Sequence, residues 1–229
     1  MTQKGFTIIE LMIATIVFSV IILLSSVMIT NIGNLYNKAI NQSRIQSTVR
    51  SLISDTTQQL KLSSGQFTVP SVPLTPSSGN PIYGYCIGSV RYSYILGIKI
   101  GTIPHVLWRD VNNSQGSCVP VDISVGNLVN NNTGVELMAP NSRLTAFSIT
   151  ANSKSGGSPY SVVIDVAYGD DDLLCDTSQP NSCTSTSTLR IKYPNNPPNI
   201  TVACKSGNIS GRQFCAVAGL NVLVNQRVY

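Results

Sequence analysis

The sequence predicts an α+β protein: a long N-terminal α-helix, transmembrane and then amphipathic, packed on a largely antiparallel β-sheet head with disulfides. Three observations predict it. Residues 6–29 form an apolar run with a single charge, Glu10. Apolar residues then recur every three or four positions as far as Leu60, the period of a helix with one buried face. Beyond residue 82 the period falls to two, and six cysteines all lie in that part.

Composition narrows the function classes. The chain has 229 residues and a formal charge of +5, yet only 11% of residues are charged, against roughly 25% in soluble domains. With 42% apolar residues it is too aliphatic for a disordered chain. One long apolar run is too few for a polytopic membrane protein. With a single histidine and no clustered acid–base pair, a hydrolase or metalloenzyme has no catalytic set. The chain is expected to be no enzyme and to need no cofactor.

Residues 6–29 contain no proline or glycine. As a helix they span ~36 Å, enough to cross a hydrocarbon core of ~30 Å. Glu10 does not fit a plain anchor. A carboxylate near the bilayer centre costs on the order of 2.5–3.5 kcal/mol, and less near an end. Such residues are usually functional and partnered. The run holds no cation. The partner must be an amine exposed by cleavage just upstream, or a group on a neighbouring copy.

That requirement meets a motif. Lys4-Gly5 followed by Phe6-Thr7-Ile8-Ile9-Glu10 resembles the leader of type IV prepilins and pseudopilins, over about residues 1–30. The resemblance implies that a prepilin peptidase cuts between Gly5 and Phe6, with Lys4 in the leader, and that Phe6 is then N-methylated. It makes Glu10 the fifth mature residue, placed to pair with the Phe6 amine of another subunit. It implies other pilins or pseudopilins as partners through this helix. It also implies a bacterial cytoplasmic (inner) membrane location, single-pass with the head outside, before entry into a pilus or pseudopilus. Major pilins often carry a helix-kinking proline where this chain has Val27, so a kink is not expected here.

The organisation expected is a leader at 1–5, a transmembrane and assembly helix at 6–29, an amphipathic helix at 30–62, a loop at 63–81 and a β-rich extracytoplasmic head at 82–229. The apolar stripe of Ile32, Leu35, Tyr36, Ala39, Ile40, Ile45, Val49, Leu52, Ile53 and Leu60 is expected to pack on the chain's own head. Pro70, Pro73, Pro76 and Pro81 exclude a helix in the loop. Strands are expected at 90–98, 105–111, 143–151, 160–168, 188–193 and 213–224.

Cys86, Cys118, Cys175, Cys183, Cys204 and Cys215 admit fifteen pairings. The local set, 86–118, 175–183 and 204–215, is favoured because the last two pairs bracket short turn-rich segments. Paired cysteines belong outside the cytoplasm. A zinc site would need C-x₂₋₄-C spacing, which is absent. Asp170, Asp171 and Asp172 with Asp176 form a weak calcium candidate, but they lack the EF-hand spacing and read better as an acidic turn.

Charge is segregated. Residues 155–189 hold five Asp and no Lys or Arg, whereas residues 183–229 hold five Lys or Arg and no acid. Scattered surface charge is the plainest account. Subunit complementarity and contact with DNA or a surface ligand are the others, and no recognition motif supports the DNA reading. His105, Trp108 and Arg109 read as strand packing. Together these features point to a minor subunit of a type IV pilus, since a head of about 150 residues is bulky for a tightly packed shaft. A type II secretion pseudopilin is the alternative, and a ligand-binding adhesin or DNA-binding pilin a third reading.

Overall fold

The structure is a computed structural model describing residues 7–63, 67–69, 72–76, 79–112, 118–126, 128, 134–151, 159–177, 183–184, 201–207 and 209–225. One helix, α1 (Ile8–Leu62), runs unbroken for 55 residues, or ~80 Å at ~1.5 Å per residue. It passes Val27 without interruption. Thr7 caps its start, and the Ser63 N–H closes its end on the Gln59 carbonyl at 2.9 Å.

The head holds β1 (Phe67–Thr68), β2 (Tyr83–Ile87), β3 (Val90–Tyr94), β4 (Leu107–Val111), β5 (Val135–Glu136), β6 (Ser142–Ala151), β7 (Tyr160–Tyr168), β8 (Leu174–Asp176), β9 (Val202–Cys204) and β10 (Ala216–Val224). They form not one sheet but three: β1-β2-β3-β4-β5, β10-β7-β6 and β8-β9. Every described ladder is antiparallel. The expected strands at 105–111, 143–151 and 160–168 appear within two residues of their bounds. The strand expected at 90–98 stops at Tyr94, and that expected at 213–224 begins at Ala216 after a 3-10 turn (Arg212–Phe214). The strand expected at 188–193 lies outside the described residues. The proline-rich loop is partly paired, through β1 on β2 and a bridge from Leu74 to Ile82.

β2 was not legible in the sequence. All five of its residues are buried, so it shows no alternation. It joins β3 through Gly88-Ser89, and Gly88 supplies the positive φ of 59° that such a tight hairpin requires at its first turn position. In β6 a bulge between Leu144 and Ala146 shifts the register. It lets Leu144 and Phe147, three apart, both enter the core.

That core is shared by α1 and the two larger sheets. Ile45, Val49, Leu52, Ile53 and Leu60 of α1 meet Tyr85, Tyr92 and Tyr94 from one sheet and Phe147, Val162, Ile164 and Val166 from the other. Phe147 stands edge-on to Tyr94 and Tyr85, with ring centroids 5.1 and 5.2 Å away, the arrangement aromatic quadrupoles favour. Asp55 on α1 accepts hydrogen bonds from the Tyr92 hydroxyl at 2.8 Å and from Arg109. Burial, reinforced by Asp55, pushes the Tyr92 phenol far up, so it remains a donor at any working pH. A smaller cluster of Leu173, Leu174, Val202 and Cys215 joins β8-β9 to the start of β10.

The stripe on α1 divides. Residues 45–60 are buried as expected, but Ile32, Leu35 and Tyr36 are exposed by 55%, 68% and 65%. The expectation that the whole stripe packs on its own head is therefore corrected. The head first meets α1 where Asn41 donates to the Gln213 carbonyl and Gln42 to the Val217 carbonyl. Among the described residues these are the side-chain hydrogen bonds between the head and α1 nearest its N-terminus.

Candidate assembly surface

From Ile8 to Ile29 the helix presents apolar side chains to its surroundings on every face, and from there to Ile40 along the stripe of Ile32, Leu35, Tyr36 and Ile40. Its most apolar 18 residues have a mean hydropathy of 2.7, none of them buried. The few hydroxyls do not spoil this surface. Thr15, Ser19, Ser25 and Thr30 each donate back to a carbonyl three or four residues earlier, at 2.8–2.9 Å, so these four hydroxyls carry no unsatisfied hydrogen into hydrocarbon.

Glu10 sits in the first turn and is not without a partner in the single chain. Thr7 and Glu10 make a capping box. The Glu10 N–H donates to Thr7 Oγ1 at 3.3 Å, and the Thr7 N–H and hydroxyl donate to Glu10 Oε2 at 3.0 and 2.8 Å. The carboxylate also lies at the positive end of the helix dipole. This arrangement was readable in the sequence as T-x-x-E at the head of an apolar run. The cleavage-site residues Lys4, Gly5 and Phe6 lie outside the described residues.

All six cysteines are paired, Cys86–Cys118, Cys175–Cys183 and Cys204–Cys215. Cys175–Cys183 ties β8 to the segment after it, and Cys204–Cys215 ties β9 to the residue just before β10. The acidic turn after β7 flanks a cleft of about 420 Å³ lined by Lys99, Thr102, Arg143, Asp170, Asp171 and Asp172. Two of its three carboxylates are held by protein cations. Lys99 binds Asp170 at 2.5 Å and holds its carboxyl below the ordinary range, and Arg143 binds Asp171. Asp176 is buried on β8. Among the described residues no three His, Cys, Asp or Glu side chains come together as a metal site.

Arg143 was not singled out in the sequence. It is 1% exposed and also donates to the Gly97 and Gly169 carbonyls, tying the 97–100 segment and the β7 end to β6. Arg143→Met is expected to destabilise the head by about 3–5 kcal/mol, because it leaves carbonyls and a carboxylate without their donor. Thermal melting of the purified chain measures it. An unchanged midpoint would show that the arginine holds nothing together.

His105 lies just before β4, with Nδ1 3.6 Å from Glu136 Oε2. Burial lowers its pKa, while Glu136 is occupied by the N–H groups of Val106, Leu107 and Met138. The folded head binds fewer protons at His105 than the unfolded chain. Stability should therefore fall as pH drops through about 6.5 toward the lower folded value. H105Q should flatten that part of the pH profile of melting temperature, and an unchanged profile would assign the fall to other groups.

The architecture is an apolar helix, long enough to cross a membrane, left bare below a disulfide-bonded β head. Residues 1–26 match the family described as the prokaryotic N-terminal methylation motif. No curated protein and no solved structure matches the chain. The chain thus carries a prepilin-type N-terminus on a pilin-like α+β architecture, that of a type IV pilin- or pseudopilin-like subunit. The motif implies processing by a prepilin peptidase and assembly with other pilins. The apolar helix fits anchoring in the inner membrane.

Proposed function

We propose that the chain is a minor subunit of a type IV pilus. It enters the membrane with its N-terminus inside and its disulfide-bonded head outside. The peptidase cuts after Gly5, Phe6 is N-methylated, and the helix packs against other pilin helices as the filament forms. The observation that carries this reading is the bare helix surface over residues 8–40, directly continuous with the methylation motif. The apolar run to Ile29 matches the ~20 residues that a bilayer needs, and the exposed stripe of Ile32, Leu35, Tyr36 and Ile40 remains to be covered above the membrane. A bundle of like helices covers both stretches.

Glu10 then acts in registry. In the lone chain Thr7 holds the carboxylate. In the filament the Phe6 amine of an adjacent subunit pairs with it at low dielectric, where either charge alone is strongly disfavoured. A subunit displaced along the bundle leaves both charges unpaired.

The bulk of the head and the unbroken helix through Val27 fit a minor pilin or a type II secretion pseudopilin better than a repeating shaft subunit. Deleting the gene separates the two. Loss of surface filaments with secretion intact supports the pilus assignment. Loss of secreted enzymes with filaments intact assigns the chain to the secretion machine.

A further inference from the structure

We propose that the exposed stripe of Ile32, Leu35, Tyr36, Ala39 and Ile40 is a dimer seam, and that its occupant is the same stripe of a second copy of this chain, standing parallel to the first. The head's footprint divides the apolar pattern of α1 into an exposed part and a buried part, and the two lie on different faces of the helix. Apolar residues keep helical spacing up to Ile40 and again from Ile45, but the interval between those two is five. Five residues turn a helix about 140° beyond a full turn. Averaged over its members, the exposed stripe lies about 120° around α1 from the line of Ile45, Val49, Leu52, Ile53 and Leu60 that packs on the head.

The face beneath the head is polar instead. Asn31, Asn34 and Lys38 continue the head-packed line toward the N-terminus, to within about 50° of it, and all three are exposed. This part of α1 thus turns its polar side under the head and its apolar side away from it. Height excludes lipid as the cover of the apolar side. The helix is unbroken here. With residues 8–29 in the hydrocarbon, Leu35 to Ile40 stand ~9–17 Å beyond Ile29 at ~1.5 Å per residue. The headgroup region on one side of a bilayer is only about 5–8 Å deep. Leu35, Tyr36 and Ile40 therefore face water in the lone chain, a cost that a protein surface removes.

A second copy meets the requirements of that surface. Two copies inserted in the same direction carry identical residues at one height, and a two-fold contact is made by the same patch on both partners. The spacing of 32, 35, 36, 39 and 40 is that of a helix–helix seam. Lys38 and Arg44 lie about 110–130° to either side of the stripe, so they do not meet their own copies across it. Above Ile40 the same line carries Gln46 and Arg50, both exposed. The seam ends below them, where two arginines would otherwise oppose each other. The heads do not collide. Each stands about 120° around its helix from the seam, so a two-fold axis between the helices puts the heads on opposite sides of the pair.

The stripe alone is too short to hold a dimer in water. It is ~12 Å long, and stable interfaces bury about 1,200 Å² or more. The membrane supplies the rest, because the apolar helix below is continuous with the stripe and holds two copies parallel. The seam rests on the single-pass insertion proposed above and adds to it the face that is covered and the partner that covers it.

Cysteine cross-linking of the full chain in native membranes tests this. The six native cysteines are bonded to one another, so an added cysteine has no partner within its own chain. Leu35→Cys or Ala39→Cys, carried by two differently tagged copies, should oxidise to a mixed-tag disulfide dimer about tenfold or more faster than Asn34→Cys or Lys38→Cys on the polar face. Adding Ile40→Asp to Ala39→Cys should bring its rate down to that of the polar-face variants, and adding Ile40→Val should not. Equal rates on the two faces overturn the proposal, as does a rate at Ala39→Cys that Ile40→Asp leaves unchanged. Linkage of the seam cysteines to a different protein, with none to the tagged copy, overturns the assignment to a second copy. Alkaline extraction of the same membranes keeps the two readings apart. A chain that washes out contradicts the insertion and the seam with it, whereas a chain that is retained but does not cross-link contradicts the seam alone.

Discussion

Glu10→Ala is expected to leave the chain inserted and cleaved but to remove it from assemblies with other pilins. Losing the carboxylate relieves a burial cost, so membrane residence does not suffer. The neighbour's buried amine, however, loses its counter-charge. Breaking a buried pair costs about 3–5 kcal/mol, or about two to three and a half orders of magnitude in association. The capping box adds a confounder, since Glu10→Ala also strips the Thr7 cap. Thr7→Val separates the two effects. It removes the side-chain cap and keeps the charge, and should cost only about 1 kcal/mol. Glu10→Gln keeps the shape but not the charge and should resemble Ala. Co-purification with other pilins from membranes scores all three variants. Normal association of both Glu10 variants would contradict a registry role. It would fit a subunit at the outermost end of the filament, with none above it to engage.

Reduction of the disulfides is expected to unfold the head at temperatures where the oxidised head is intact. The bridges close loops of 32, 8 and 11 residues in sequence separation. Loop-closure entropy makes a bridge of about this size worth roughly 3 kcal/mol. Three together approach the ~5–15 kcal/mol that holds a domain folded. Within the set, C204A/C215A should be the most damaging of the two short-loop removals. That bridge joins β9 to β10 through the Leu173–Leu174–Val202 cluster, in which Cys215 is 2% exposed. Circular dichroism melts with and without reductant measure the effect, and coincident melts would contradict it.

The parts legible in the sequence were those with a clean period. Tyr160–Tyr168 alternates buried and half-buried positions along most of its length, so its bounds could be read directly. α1 was legible for the same reason. β2 was not, because both its faces are covered and its side chains carry no alternation. The division of the stripe on α1 was hidden because Leu35 and Leu52 look alike in sequence. Only the head's footprint, ending at Asn41 and Gln42, separates them. Arg143 gave no signal either. A strand-end arginine reads as solvated until the chain brings Gly97, Gly169 and Asp171 around it. The Thr7–Glu10 box is the reverse case, a local hydrogen-bonding pattern that T-x-x-E at the head of an apolar run spells out without any tertiary context.

Prepilin-type processing is tested most directly by the mass of the mature chain recovered from native membranes. The predicted N-terminus is Phe6 bearing one methyl group. Gly5→Val should abolish the cut, since the peptidase site needs a residue without a bulky side chain there. A chain that begins at Met1 in assembled filaments would contradict the reading at its root.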